Sequence, residues 1–243
     1  MKPLLCSSLL LLAFSVNAQA PTPGPIPKEP HHHLVLENDY VRVFRVSVPA
    51  HEPTLLHQHD VPYVYVALGP ADVINAVQGK PEAHLTMTDG QVGYSRGGFA
   101  HIARNESAAP FNNVTIELLK PQGEPRNRCD KVVPGDPGPC MVERRLHSYT
   151  DTPSFETDEI RVISEEFQPK ASVQDVPETD RLLVALDQAE LTVETPGKAD
   201  VKLSGGNSLW LSRRTLQIIH NTVDRPSRFL SINFKDSAAS TKH

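Results

Sequence analysis

Residues 51–60 read HEPTLLHQHD and residues 98–105 read GFAHIARN, and these two stretches carry the histidines that decide the fold and the chemistry. Side chains two residues apart on a strand point to the same face, so His57 and His59 would present their imidazoles side by side. His101 follows on a later strand that can lie beside the first. Three neutral imidazoles suit Zn, Fe, Ni, Cu or Mn and leave coordination positions open. The sequence therefore predicts that these three histidines bind one divalent transition metal.

The remainder of the chain predicts an all-β fold. Residues 63–68 (YVYVAL) form a β-rich run that ends at a Gly-Pro turn, and residues 114–118 (VTIEL) alternate between apolar and polar side chains. Turn signals recur about every eight to twelve residues, which is typical of a sandwich or barrel of short antiparallel strands. The chain contains 22 prolines and no long amphipathic pattern, so long helices are not expected.

The chain also contains an internal repeat. Residues 37–43 (ENDYVRV) are echoed by residues 156–162 (ETDEIRV), and a Val-Ala-Leu triplet recurs at residues 66–68 and 184–186. These landmarks come in the same order at nearly the same spacing. Two copies are too few for a solenoid, so each half is expected to close its own core.

The two histidine stretches resemble the two motifs of the cupin superfamily. The first motif has His-x-His followed by a glutamate and a later glycine, and the second has Pro-x-Gly-x-x-His with Asn four residues on. The residues that match are His57, His59, Gly69, Gly98, His101 and Asn105. The resemblance implies a bicupin with two tandem barrels of the double-stranded β-helix (jelly-roll) type. The first barrel would span residues 35–120, and the second, degenerate barrel would span residues 155–236.

The sequence departs from the family pattern around the predicted site. His51 occupies the glycine position of the first motif, Tyr63 and Val64 stand where the glutamate ligand is expected, and Arg96 replaces the proline of the second motif. What remains is similar to the three-histidine cupins, which include the thiol dioxygenases. We predict that the pocket is lined by His51, Tyr63, Arg96 and Asn105, although Asn105 is also suited to bonding the backbone at a turn.

The second half lacks the histidines. Opposite His57, His59 and His101 stand Asp175, Pro177 and Gln217, and opposite Tyr63 stands Arg181. We expect this copy to bind no transition metal. It would instead be a structural partner that covers sheet edges and buries apolar surface.

The N-terminal segment predicts export. Lys2 precedes the apolar run of residues 4–14, and Ala18-Gln19-Ala20 matches a signal-peptidase site, so residues 1–20 are predicted to be a signal peptide cleaved after Ala20. A short N-terminal anchor is the alternative. The mature protein would be periplasmic or secreted, with no membrane association.

The segments before, between and after the two barrels are predicted to be a linker, a connector and a tail. Residues 21–34 are a Pro- and His-rich linker that should be an extended spacer rather than a packed element, and the three histidines within it could not all face one ion. Residues 121–154 are a Pro- and Gly-rich connector, in which Cys129 and Cys140 should form a disulfide in an oxidising compartment. Residues 237–243 are predicted to be a disordered tail.

Two classes of function agree with these features. The first is an exported bicupin whose single divalent metal supports oxidoreductase chemistry of the dioxygenase type, or isomerase chemistry, on a small polar substrate. The alternative is a non-catalytic cupin that binds a small ligand or has a structural role without metal. The formal charge of −5 gives no sign of a nucleic-acid partner. A homodimer is implied by the resemblance alone.

Overall fold

The computed structural model describes residues 21–126, 144–145, 148–186 and 188–235. In these ranges the chain is all-β apart from one turn of 3-10 helix at Ile26–Lys28, so the predicted all-β class is confirmed, whereas the two closed barrels stay a prediction. No helix within them has the length and apolar character needed to cross a membrane. The predicted signal peptide, Cys129, Cys140 and the predicted tail lie outside the described residues and stay predictions.

The first half consists of two five-stranded sheets. Its strands, in chain order, are β1 (Gly24–Pro25), β2 (His32–Glu37), β3 (Val41–Val48), β4 (His57–His59), β5 (Tyr63–Ala67), β6 (Ala71–Val77), β7 (Ala83–Met87), β8 (Val92–Ser95), β9 (Phe99–Asn105) and β10 (Phe111–Leu118). Sheet I has the order β1-β4-β9-β6-β7, and sheet II has the order β2-β3-β10-β5-β8. All pairs are antiparallel except β1 with β4.

The second half repeats this arrangement. Its strands are β11 (Arg144–Arg145), β12 (Tyr149–Glu156), β13 (Ile160–Phe167), β14 (Ser172–Asp175), β15 (Arg181–Ala185), β16 (Glu190–Glu194), β17 (Val201–Ser204), β18 (Ser208–Leu211), β19 (Gln217–Asn221) and β20 (Ser227–Phe234). Sheet III has the order β11-β12-β13-β20-β15-β18, and sheet IV has the order β14-β19-β16-β17. Apart from the extra edge strand β11, sheet III matches sheet II strand for strand, and sheet IV matches sheet I without β1. None of these sheets, as far as the structure describes them, closes into a barrel.

The four sheets stack in the order I, II, III, IV. On β3, Val41 and Val43 belong to a core that sheet II shares with sheet III, whereas Phe44, Val46 and Val48 belong to the core shared with sheet I. A third core lies between sheets III and IV. Strands β5 and β10 of sheet II are thus buried on both faces, which explains why residues 63–68 form a nearly continuous apolar run. The second half therefore covers a face of the first half, and not only the sheet edges as predicted.

The N-terminal residues 21–34 are packed, so the prediction of an extended spacer is wrong. Strand β1 pairs with β4 in parallel, Ile26 is only 2% exposed, and β2 forms the edge of sheet II. Prolines are compatible with this placement because an edge strand and the first turn of a helix do not need every backbone N–H. The segment therefore brings its polar side chains, Glu29 and His32, against the first half.

Asn105 and Asn221 have the same structural role in the two halves. The Asn105 Nδ2 atom donates to the carbonyl oxygens of Val48 (3.1 Å), Pro49 (3.0 Å) and Ala109 (2.8 Å). The Asn221 Nδ2 atom likewise donates to the carbonyl oxygens of three residues, namely Phe167 (3.3 Å), Gln168 (2.9 Å) and Arg225 (2.7 Å). Both side chains are almost fully buried. The repeated asparagine is therefore a clamp between strand ends, and the prediction that Asn105 lines the pocket is wrong.

We expect Asn105→Ala and Asn221→Ala each to lower the free energy of unfolding by about 2–3 kcal/mol, since each removes two N–H donors that three carbonyl oxygens share, at roughly 1 kcal/mol a hydrogen bond. Urea denaturation measures the loss. Asn112→Ala is the matched control, because that side chain makes one long, exposed hydrogen bond of 3.5 Å. An Asn105→Ala protein as stable as the control would contradict the clamp.

Candidate metal centre

Strands β4 and β9 bring the three predicted histidines together. His57 and His101 are directly opposed in the antiparallel pair, and His59 points to the same side two residues further along. The ring centroids are 4.5 Å apart for His57 and His101, 5.0 Å for His59 and His101, and 5.1 Å for His57 and His59. All three side chains are buried. The alternation of the strand and the register of the pair thus produce one compact imidazole cluster.

A fourth histidine, His32, completes this cluster from sheet II. Its ring centroid lies 4.8 Å from that of His57 and 6.3 Å from that of His59. Ligand atoms of His32, His57 and His59 all lie within 4.8 Å of one another, a spacing at which they can hold a metal ion. His32 was not among the predicted ligands, because residues 21–34 were expected to form an extended spacer. Two residues between the prolines, Ile26 and Glu29, could have indicated that this segment packs against the first half.

Glu29 fixes the orientation of His32. Its Oε2 atom accepts a hydrogen bond from His32 Nδ1 (2.5 Å) and one from the backbone N–H of His31 (2.9 Å), and its Oε1 atom accepts one from the backbone N–H of Leu55 (3.2 Å). Burial raises the pKa of Glu29, but these bonds and the nearby His32 outweigh it and hold the pKa below its usual value. Because an ionised carboxylate only accepts, the Nδ1 atom of His32 donates in this hydrogen bond, and the Nε2 atom lies on the opposite side of the ring.

The hydrogen bonds of His57 and His101 aim two further lone pairs into the cluster. His57 Nδ1 donates to the carbonyl oxygen of Leu55 (2.8 Å), and His101 Nδ1 donates to Asn75 Oδ1 (2.6 Å). In the neutral rings both Nε2 atoms are then unprotonated, and they lie 3.0 Å apart. Two lone pairs at this separation repel each other unless a cation lies between them. Both can bind one ion at the usual Zn–N distance of about 2.0–2.1 Å.

A proton does not supply that cation at neutral pH. Burial lowers the pKa of His57 to about 4, that of His101 to about 3 and that of His59 to about 2. In addition, the Nδ1 atom of His59 is buried and has no hydrogen-bond partner. Unpaired lone pairs in a neutral, water-poor cluster are what a divalent transition metal requires. The residues therefore fit a metal ion.

Of the other predicted pocket residues, Tyr63 lines the cavity, whereas His51 and Arg96 lie outside it. Tyr63 lines the cavity at the histidines and stacks on His59 with ring centroids 4.2 Å apart, and burial raises its pKa to about 12. His51 is exposed at a turn with φ of 61°, and Arg96 points outward to form an ion pair with Glu124. The prediction that His51 and Arg96 line the cavity is therefore wrong, because turns direct both side chains away from it.

In the second half, an ion pair occupies the place of the histidines. Asp175 opposes Gln217 in the pair of β14 and β19, just as His57 opposes His101 in the first half. The guanidinium of Arg181 contacts both, with Nη1 3.0 Å from an Asp175 oxygen and Nη2 3.2 Å from the Gln217 oxygen. This group brings a fixed positive charge to the position that corresponds to the metal centre. The expected absence of a transition metal there stays a prediction.

Comparison with known proteins identifies the fold. No protein-family model and no curated protein sequence matches the chain. Among solved structures, AerE from Microcystis aeruginosa aligns over 89% of this chain and 98% of its own, with 12% identity and a TM-score of 0.63. A cupin 2 conserved barrel domain protein from Leptotrichia buccalis aligns over 84% of this chain and 88% of its own, with 12% identity and a TM-score of 0.52. The chain has the cupin fold.

A third structural neighbour contains a metal. HEPD from Streptomyces albus, with its substrate 2-hydroxyethylphosphonate and Fe(II) bound, aligns over 86% of this chain and 71% of its own, with 11% identity and a TM-score of 0.59. At these identities the likeness concerns the fold alone. The argument for a metal in this cupin therefore rests on its own histidines.

Proposed function

We propose that this protein is an exported two-domain cupin that binds one divalent transition metal through His57, His59 and His101, with His32 as a further ligand. The single observation that carries the proposal is the pair of Nε2 atoms of His57 and His101, which face each other at 3.0 Å while the Nδ1 atoms of both rings bond to oxygen atoms. The two cupin domains would span about residues 24–118 and 149–234, because β1 and β2 belong to the sheets of the first half and β12 belongs to those of the second. Export is supported by the sequence of residues 1–20, which matches a signal peptide.

We further propose oxidoreductase activity of the dioxygenase type on a small molecule. When bound, the metal supplies Lewis-acid or redox chemistry, and Fe(II), which HEPD contains, is the first ion to test. The chain contributes the nitrogen ligands, a mostly apolar wall, and the phenol of Tyr63. Because the pKa of Tyr63 is raised to about 12, this phenol keeps its proton at neutral pH and can donate a hydrogen bond.

A second function is favoured by one specific observation. Among the described residues, no Asp, Glu or Lys lines the cavity at the histidines, so the cavity has no carboxylate or amine to act as a general base. A cupin that binds a small ligand without transforming it would have such a cavity. An open coordination position on the metal distinguishes the two functions.

We expect the metal-free protein to take up one equivalent of Co²⁺, and we expect azide to change the visible absorption of the Co²⁺-loaded protein. Azide needs a coordination position that the protein leaves free, and a position of this kind is a property of catalytic metal sites. Optical titration measures both steps. Uptake of Co²⁺ with a spectrum that azide leaves unchanged would indicate a closed site and exclude the proposed catalysis.

A further inference from the structure

The cavity at the histidines has apolar walls. It measures about 220 Å³ and lies between sheets I and II. Six of its wall residues are aliphatic or aromatic side chains contributed by both sheets: Val46, Val48, Phe111, Val73, Leu85 and Met87. A ligand inside it would contact mostly carbon atoms away from the metal centre.

Most polar side chains in the wall already have partners within it. Asn75 accepts from His101, Thr115 donates to Asn113 (2.9 Å), and Thr54 accepts from the backbone N–H of Ala103 (2.9 Å). By contrast, the Nδ1 atom of His59 is buried without a partner. A buried polar atom without a partner is thus found at the histidine end of the cavity.

The charged groups closest to this site are also neutralised. Glu29 lies behind His32 and is hydrogen-bonded to it, and Glu117 forms an ion pair with Arg42 (2.8 Å). Among the described residues, no Arg or Lys lines the cavity. An anionic group at the distal end of a ligand would therefore lose its hydration without gaining a cationic partner, which is strongly unfavourable.

We infer that the cavity binds a small uncharged molecule whose one oxygen-bearing end faces the histidines and whose other end is apolar. This inference rests on the proposed function in that it assigns the polar end to the metal. The sequence alone predicts a small polar substrate. The inference restricts that class of substrates, because it excludes ligands with a second, charged group such as a distal carboxylate.

Three matched pairs of probes test this selectivity: phenol with 4-hydroxybenzoate, catechol with 3,4-dihydroxybenzoate, and benzyl alcohol with 4-(hydroxymethyl)benzoate. We expect each carboxylate to bind at least about tenfold more weakly than its neutral partner, because its charge is buried unpaired. Ligand-observed NMR titration measures binding to the metal-free protein, in which a probe carboxylate cannot instead coordinate the metal. Carboxylates that bind as well as their neutral partners, or neutral probes that all fail to bind, would overturn the inference.

A wall variant locates the effect in this cavity. Leu85→Lys places an ammonium in the wall at a half-buried position, so the variant should favour the carboxylates. Lys202→Leu, at an exposed position in the second half, should leave the preference unchanged. If Leu85→Lys does not fold, the comparison of matched probes on the natural protein still tests whether the cavity prefers uncharged ligands. Neutral selectivity in a protein that binds no metal would support this inference and refute only the proposed function.

Discussion

His57→Ala and His101→Ala are each expected to lower the affinity of the protein for a divalent metal by more than about 100-fold, because even loss of a partner behind a metal ligand costs 10- to 100-fold. These two residues provide the Nε2 atoms that face each other at 3.0 Å, so either substitution removes one of the two facing nitrogens. Competition with a chromophoric chelator measures the dissociation constants of the purified variants.

The matched control for these substitutions is His84→Ala. His84 lies on β7, and its imidazole is 58% exposed and paired with Asp72, outside the cavity. Its removal should change the metal affinity by less than about threefold, within the spread of surface substitutions. If His84→Ala weakened binding as much as His57→Ala, metal capture by surface histidines would explain the result better than the buried cluster.

The metal-free protein is expected to lose about 2 kcal/mol of unfolding free energy for each of His57, His59 and His101 between about pH 7 and pH 5. In the unfolded chain these imidazoles titrate near 6.5, whereas in the folded protein burial lowers the pKa values to about 4, 2 and 3. Below pH 6.5 the unfolded state therefore binds protons that the folded state does not. The stabilisation is complete above that pH and is lost as the pH falls.

Urea denaturation at a series of pH values, with chelator present, measures this loss. His59→Gln should reduce the pH dependence by about one third, since it removes one of three similar contributions. His84→Gln serves as the control and should leave the slope almost unchanged. An identical slope in His59→Gln and the natural protein would show that the buried histidines do not titrate as described.

Much of the fold could be predicted from local sequence patterns. Residue alternation placed His57 and His59 on one face of a strand, and the repeated Val-Ala-Leu and Asn landmarks marked equivalent strands in the two halves. These features depend on the period of a strand and on the order of elements, both of which a sequence displays directly. The correspondence of Asp175 with His57 and of Gln217 with His101 followed from the same reasoning, and the strand pairing agrees with it.

The parts that were predicted wrongly depend on turns and on long-range packing. His51 and Arg96 lie beside the predicted site in sequence, but a left-handed turn at His51 and the positive φ angles of Gly97 and Gly98 redirect the chain there. His32 reaches the cluster only because β2 joins the edge of sheet II far from the motif residues in sequence. Neither a turn conformation nor the partner of an edge strand can be derived from composition.

The packing of sheet II against sheet III was visible in the sequence only in part. Strand β5 carries Val64 and Val66 toward the second half and Tyr63 and Tyr65 toward the cavity, so both faces are filled. A run of this kind is equally compatible with a buried helix segment or a central strand. The structure resolves this ambiguity by placing a second apolar sheet on the outer face.

A crystal structure of the mature protein loaded with one equivalent of Zn²⁺ or Fe²⁺ under anaerobic conditions, with anomalous data at the metal edge, tests the metal centre most directly. We predict a single anomalous peak at about 2.0–2.2 Å from the Nε2 atoms of both His57 and His101. A peak elsewhere on the molecule, or no peak between these two atoms after loading, would contradict the account.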